Sequence, residues 1–120
     1  MHKENRLAKK EDFQKVYRYG KSMANRQFVL YYMARPQIEA FRLGVSVSKK
    51  LGNAVVRNRL RRMMKEIIRL NKDRIPSGFD FILIARKPAA DIDYSEMEKN
   101  VLHVLKKATM LTAKSSSPKG

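Results

Sequence analysis

Apolar and polar residues follow two different periods along the chain, and these periods predict three helices and three strands. In EDFQKVYRYG, the residues Phe13, Val16 and Tyr17 recur at helical spacing, and Gly20 is a natural stop. The next segment, QFVLYYMARP, is rich in aromatic and branched residues and ends at Pro36. This composition predicts a strand.

The clearest strand is FRLGVSVS, residues 41–48, where every second residue is apolar. The alternate positions are Arg42, Gly44, Ser46 and Ser48. Past the arginine, this second face carries only small side chains. It therefore leaves room for another group to lie close to the sheet.

Two helices and one further strand complete the pattern. The longest helix is predicted over 54–71, with Asn53 as its N-cap. A third apolar strand, FDFILIAR, spans 79–86. In the last helix, DYSEMEKNVLHVLKKATML, Asp93 and Glu96 are spaced as an N-cap and its N3 partner.

The element order is therefore α-β-β-α-β-α, which predicts a small α/β or α+β two-layer sandwich with a mixed sheet. The strand–helix–strand unit in the middle is long enough for a parallel crossover. A chain of 120 residues suits one domain. We expect that domain to span 1–111 and the polar residues 112–120 to form a disordered tail.

Composition favours a folded protein of the cytoplasm. The hydrophobic fraction is 43%, and there is no cysteine for disulfides or thiolate metal sites. No apolar run approaches the roughly 18 residues of a membrane span, and the N-terminus lacks the apolar segment of a secretory signal. We therefore expect a soluble, cytoplasmic protein without a membrane partner.

The net charge and its distribution give the strongest indication of a binding partner. The net charge is +16, from 27 Lys and Arg against 11 Asp and Glu, whereas small domains usually carry about 2 to 8 in magnitude. Residues 40–65 contain eight bases and no acid, while residues 91–98 contain four acids and no base. This segregation indicates a basic surface for a polyanionic partner.

The predicted helix 54–71 divides into two arcs when plotted at about 100° per residue. Nucleic-acid backbone binding explains the basic arc better than a solvated face, because solvated faces usually interleave acids and here only Glu66 does so. A membrane-binding or calmodulin-binding helix is less favoured, because the apolar arc is needed to cover the strands. Ile68 is the one apolar residue that falls among the basic arc. That arc holds Val56, Leu60, Met63, Met64, Ile67 and Leu70, and the basic arc holds Arg57, Asn58, Arg61, Arg62, Lys65 and Arg69.

The segment LGNAVVRNRLRRMMK, residues 51–65, resembles the Arg-Asn-Arg signature of the bacterial ribonuclease P protein subunit. Lys65 stands where many relatives carry arginine. The resemblance continues through LAKKEDFQKVYRYGKSMANRQFVLYY, FRLGVSVSKKLGNAV and FILIARKPA, and it covers most of residues 6–90.

This resemblance implies a left-handed βαβ crossover, where general handedness rules predict a right-handed one. It also implies the subunit of a ribonucleoprotein endonuclease that removes the 5′ leader from precursor tRNA. In that family the RNA subunit catalyses the hydrolysis with Mg²⁺, which is bound mainly by the RNA. The implied partners are the catalytic RNA and precursor tRNA, and no protein partner is required. No residue of this chain is expected to be catalytic or to bind a metal.

The resemblance also assigns two sets of binding residues. Aromatic rings stack on unpaired bases with little sequence preference, which suits a leader of varied sequence. From spacing alone, Phe13 and Tyr17 fit a core role better, and Tyr31, Lys49 and Lys50 would be ordinary strand and loop residues. The implied leader site is Phe13, Tyr17, Tyr31, Lys49, Lys50, Arg86 and Lys87, and the implied site for the catalytic RNA is Arg57, Asn58, Arg59, Arg61, Arg62, Lys65 and Arg69.

Two other functions compete with this interpretation. A nuclease acting alone would need clustered carboxylates or a histidine pair. The acids of residues 91–98 are explained by a helix start, and His2 and His103 are expected to be surface or packing residues. A ribosomal or other RNA-scaffolding protein shares the basic charge, but the signature in residues 57–65 argues against it.

Overall fold

The computed structural model describes residues 5–112, and within them the chain forms three α-helices and one four-stranded sheet. Of the predicted tail, only Thr112 lies in this range, and its backbone N–H donates to the Arg74 carbonyl at 2.8 Å. Residues 113–120 and His2 lie outside the described residues. The elements are α1 (Lys10–Tyr19), β1 (Lys21–Ala24), β2 (Phe28–Ala34), β3 (Arg42–Ser46), α2 (Ala54–Leu70), β4 (Phe79–Ala85) and α3 (Tyr94–Lys107).

The sheet has the order β1-β2-β4-β3. Strand β2 pairs antiparallel with both β1 and β4, and β3 pairs parallel with β4. The parallel crossover β3–α2–β4 is therefore present, and the predicted small α/β fold with a mixed sheet is confirmed. The left hand of that crossover stays a prediction.

The short edge strand β1 was missing from the predicted order. Its sequence, KSMA, is only four residues long, and its first two residues are exposed. Nothing in so short a segment indicates a strand by periodicity. Its conformation comes from pairing with β2, where Lys21 lies opposite Tyr32 and Ala24 opposite Val29.

Helices cover both faces of the sheet. Helices α2 and α3 pack on one face and enclose the main core with buried residues such as Leu30, Leu60, Leu83 and Val101. Helix α1 packs on the other face over a smaller cluster. The predicted two-layer sandwich does not include α1 as this partial third layer. The layer forms because the second face of β2 and β4 is also apolar.

The buried arc of α2 differs from the predicted one at two positions. Ile68 is buried in the main core, whereas Leu70 at the end of the helix is 57% exposed. Helix α2 packs against α3 as well as β3. The buried surface of its last turns is therefore wider than an arc facing only the sheet, and it includes Ile68.

Side-chain caps fix the starts of α2 and α3 as the sequence predicts. Asn53 Oδ1 accepts the backbone N–H of Val56 at 3.0 Å, and Asp93 Oδ1 accepts that of Glu96 at 2.8 Å. These caps satisfy backbone donors that a helix start leaves without an intrahelical partner. The cap on α2 fixes where its basic residues begin.

Candidate nucleic-acid interface

One face of α2 carries a continuous basic surface. Four of its side chains are exposed and two, Arg57 and Arg61, are half-buried. None of its five basic residues forms an ion pair within residues 5–112. This α2 basic surface consists of Arg57, Asn58, Arg59, Arg61, Arg62 and Lys65.

Two contacts hold arginines of this surface in place. Arg57 Nε donates to the Gly52 carbonyl at 3.2 Å, in the turn before the helix. Arg61 Nη1 donates to Asn58 Oδ1 at 2.8 Å, one helical turn away. These bonds use only part of each guanidinium, so the remaining N–H groups can contact phosphate oxygens.

Arg69, also predicted to bind RNA, differs from the rest of the basic arc. Its Nε and Nη2 donate to the two carboxylate oxygens of Glu66 at 2.9 and 2.6 Å. Hydrogen bonding from Arg69 lowers the pKa of Glu66. This pairing distinguishes Arg69 from the α2 basic surface, and its contact with the catalytic RNA stays a prediction.

A second candidate surface lies on the sheet face that carries α1. There the strands form successive rows across the sheet, because residues paired in register point to the same side. Helix α1 covers the rows of Asp80 and Ile82. The next row, Val29, Ile84 and Ser46, is half-buried and adjoins α1. We call this row, together with the neighbouring rings of α1 and β2, the α1-side cleft.

Aromatic side chains form the wall of the cleft. Tyr17 meets Tyr31 edge to face, with ring centroids 5.0 Å apart and an interplanar angle of 83°. Tyr17 is 43% exposed, and burial of the remainder, with the neighbouring Tyr31, raises its pKa. The Phe13 ring instead lies directly on Gly44, where any Cβ would collide with it. The small second face of β3 thus makes room for Phe13.

Basic residues collect at one end of the cleft. Strands β3 and β4 run in the same direction, so the segments that follow Ser46 and Ala85 start from the same edge of the sheet. One segment carries Lys49 and Lys50, the other Arg86 and Lys87, and their 3₁₀ turns are in contact. All four side chains are exposed. Arg86 Nη1 also donates to the Asn25 carbonyl at 2.9 Å.

The predicted site residues thus fall into two groups. The loop with Lys49 and Lys50 connects β3, which belongs to the cleft, to α2, which carries the α2 basic surface. His103, predicted to be a surface or packing residue, is exposed, and its Nδ1 accepts a hydrogen bond from Asn25 Nδ2 at 3.1 Å.

Sequence reasoning missed a buried charge cluster beneath α1. Asp80 is fully buried and contacts Arg35 and Arg42, and Arg42 also contacts Asp12. A signal for it was present, because Asp80 is the only acid in the apolar strand FDFILIA. A buried carboxylate needs a basic partner.

Residues 5–112 contain neither a metal-ligating cluster nor a membrane-spanning helix. Within residues 5–112, no group of three or more His, Cys, Asp or Glu side chains could hold a metal ion. No helix in the same range is long and apolar enough to cross a membrane.

The fold and these surfaces define a class: a small, strongly basic α/β domain of the kind that binds nucleic acid. The family model for ribonuclease P matches residues 1–109. The ribonuclease P protein component of Bacillus cereus strain AH820 is 51% identical over 116 residues, which are 97% of this chain and 98% of that protein.

Solved structures agree with that match. The ribonuclease P protein of Staphylococcus aureus superposes with a TM-score of 0.85 at 45% identity, over 90% of this chain and 98% of its own. The ribonuclease P protein from Thermotoga maritima superposes with a TM-score of 0.79 at 36% identity, over 85% of this chain and 96% of its own.

The chain belongs to the ribonuclease P protein family. Its function is that of the protein component in bacterial tRNA 5′ processing, and the ribosomal or scaffolding alternative finds no support.

Proposed function

We propose that this chain is a non-catalytic subunit that binds two RNAs through separate surfaces. The α2 basic surface binds the catalytic RNA, and the α1-side cleft with its four basic residues binds the 5′ leader of precursor tRNA. The RNA subunit performs the hydrolysis and holds the Mg²⁺. The compartment is the cytoplasm, where precursor tRNA is transcribed, and neither a membrane nor a protein partner is needed.

The observation that carries this proposal is the lack of internal neutralisation on α2. Five basic residues share one helix face, and within residues 5–112 no carboxylate pairs with them. Like charges on neighbouring turns repel one another. A phosphate backbone removes that repulsion, and the planar fork of arginine suits bidentate phosphate contacts.

The cleft supports the second half of the proposal. Tyr17 is the more exposed of the two tyrosines in the wall, and the basic turns stand at the end of the same cleft. Stacking on a tyrosine tolerates any base, and the lysines contact phosphates without reading sequence. Such a site fits a single strand of varied sequence.

A cleavage assay at low Mg²⁺ tests the division of labour. Precursor tRNA is incubated with purified protein, with the catalytic RNA, and with both. We expect 5′ cleavage with both components and intact substrate with protein alone. A matched control is the Arg57→Ala, Arg61→Ala, Arg62→Ala variant, purified identically, because a contaminating nuclease would act equally in both preparations. Site-specific 5′ cleavage by the unmodified protein alone, lost in this variant, would contradict the proposal.

A further inference from the structure

The buried charge cluster joins α1 to the sheet. Arg42 Nε and Nη2 donate to the two carboxylate oxygens of Asp80 at 2.7 and 2.8 Å, and Arg35 Nη1 donates to Asp80 Oδ2 at 3.1 Å. Asp12 on α1 completes the cluster: its carboxylate lies 3.5 Å from Arg42 Nη1 and 4.0 Å from Arg35 Nη1. Two acids thus balance two arginines across the contact between helix and sheet.

Each partner is largely shielded from water. Asp80 is fully buried, the Asp12 side chain is 14% exposed, and the two arginines are 19% and 22% exposed. Hydrogen bonding to Asp80 raises the pKa of Arg42. Charges in such surroundings are held in fixed positions, because a shift that breaks a contact leaves a poorly solvated charge without its partner.

Helix α1 has few other anchors. It is ten residues long, and Val16 is its only fully buried side chain. Its N-cap residue, Lys9, makes no side-chain capping bond. Besides Val16, the half-buried Phe13 packs on the smaller cluster, and the N–H of Leu7 ahead of the helix donates to the Leu43 carbonyl at 3.0 Å. Apolar packing over so few residues leaves the tilt of a short helix weakly determined. A second anchor in the first turn fixes it.

The position of Asp12 connects this anchor to the cleft. It directly precedes Phe13 in the chain, and its partner Arg42 lies two residues before Gly44 on the same face of β3. The ion pair therefore sets how the Phe13 ring meets Gly44. One turn further along α1, the same placement brings Tyr17 against Tyr31.

We propose that Asp12 is a positioning residue for the leader site. Through Arg42 and Arg35, which Asp80 holds from below, it fixes α1 so that Tyr17 presents its ring to an unpaired base. This inference rests on the proposed function. It also predicts that removing the carboxylate of Asp12 weakens RNA binding. Simple electrostatics predicts the opposite, because removing an acid near an RNA-binding surface should tighten binding.

The test compares Asp12→Asn with Glu11→Gln. Glu11 lies beside Asp12 in the first turn of α1, is exposed, and forms no ion pair within the described residues. Both variants remove one negative charge from the same end of the helix, so net charge and helix-dipole effects are matched. Each is reconstituted with the catalytic RNA, and its affinity is measured for precursor and for mature tRNA.

We expect Asp12→Asn to weaken precursor binding by roughly three- to tenfold, a fraction of what loss of a stacked base would cause. Mature tRNA, which has no leader, should bind as before, and Glu11→Gln should leave both affinities unchanged or slightly tighter. A nuclear Overhauser contact between the Tyr17 and Tyr31 rings should persist in Glu11→Gln and weaken in Asp12→Asn. Asp12→Glu, which keeps the charge, should restore most of the affinity.

A double-mutant cycle separates this inference from the proposed function. In a Tyr17→Ala background, Asp12→Asn should cause no further loss, because the residue acts through that ring. If Tyr17→Ala itself leaves precursor preference unchanged, the proposed leader site is wrong. If Tyr17→Ala removes the preference while Asp12→Asn leaves or tightens it, only the positioning role is wrong. Equal losses for precursor and mature tRNA, or a variant that does not fold, would also overturn that role.

Discussion

At the scale of single residues, the aromatic side chains of α1 are not equivalent. Their spacing predicts a shared role, either in the core or in a binding platform. The structure divides them: Val16 is buried, Phe13 lies on Gly44 within the smaller cluster, and Tyr17 is 43% exposed. Tyr17 is therefore the ring best placed to stack on a base, while Phe13 also supports the helix.

Replacing Tyr17 tests the stacking role. We expect Tyr17→Ala to lower precursor affinity by about 1–3 kcal/mol, the usual contribution of one stacked base. Thermal stability should fall less, by the roughly 0.5–1.5 kcal/mol of an edge-to-face pair. Tyr19→Ala is the control, because Tyr19 lies on the same helix and is 68% exposed. Binding assays that show equal losses for both variants would argue against a specific platform.

Replacing Gly44 tests whether the contact with β3 positions the Phe13 ring. A Cβ at this position collides with the Phe13 ring, and the backbone of β3 is held by pairing with β4 on one side and by a bridge between Arg6 and Leu43 on the other. Gly44→Ala should therefore displace the ring and reduce precursor affinity, with destabilisation of about 1–3 kcal/mol from overpacking. Melting curves and binding to precursor and mature tRNA would measure both effects. An unchanged affinity in a folded variant would show that Phe13 does not shape the cleft.

At the scale of elements, α2 separates a core face from a basic face over the length of one helix. The sequence predicts most of this division, since 3.6-residue periodicity places Leu60, Met64 and Ile67 together. It cannot predict that Ile68 is also buried in the main core, or that Arg69 turns to Glu66. Both depend on neighbours brought close by the fold or on a choice of rotamer.

Two arginines of α2 allow a matched comparison of salt dependence. Arg62 is exposed and unpaired within the described residues, whereas Arg69 is paired with Glu66. Arg62→Ala should reduce the slope of log K against log salt for catalytic-RNA binding by about 0.7–0.9, the value for one phosphate contact. Arg69→Ala should change it much less. Equal slopes for the two variants would show that the Glu66 pair opens on binding.

At the scale of the whole molecule, a net charge of +16 opposes compaction. An anion that binds only the folded state stabilises it by mass action. At a hundred times its Kd, such an anion adds about 2.7 kcal/mol.

Pyrophosphate provides the probe for this effect. We expect it to raise Tm by several degrees, since about 1 kcal/mol shifts Tm by roughly 4 °C or more in a domain of this size. Sodium chloride at equal ionic strength should raise it less, because it screens charge without multivalent contacts. A Tm that does not change when pyrophosphate is added would show that repulsion between the basic side chains does not limit stability.

Sequence reasoning succeeded for this molecule where a long periodic pattern or a capping residue decides the structure. Helix α2, strands β2 to β4 and the caps at Asn53 and Asp93 follow from such local signals. Strand β1 does not, because four residues are too few to show a period before they pair with β2. The Asp80 cluster does not, because its residues are far apart in the chain. The candidate site combines the two cases. The basic arc of α2 follows from helical periodicity, whereas the leader set was implied only by the family resemblance, and its assembly beside α1 required the fold.

Site-specific photocrosslinking in the reconstituted complex tests the two-surface account most directly. A photoreactive phenylalanine derivative replaces Tyr17 in one variant and Arg62 in another, and precursor tRNA and the catalytic RNA carry different labels. We expect the probe at position 17 to crosslink to leader nucleotides and the probe at position 62 to the catalytic RNA. Crosslinks from both positions to the same RNA, or from position 17 to the body of the tRNA, would contradict the account.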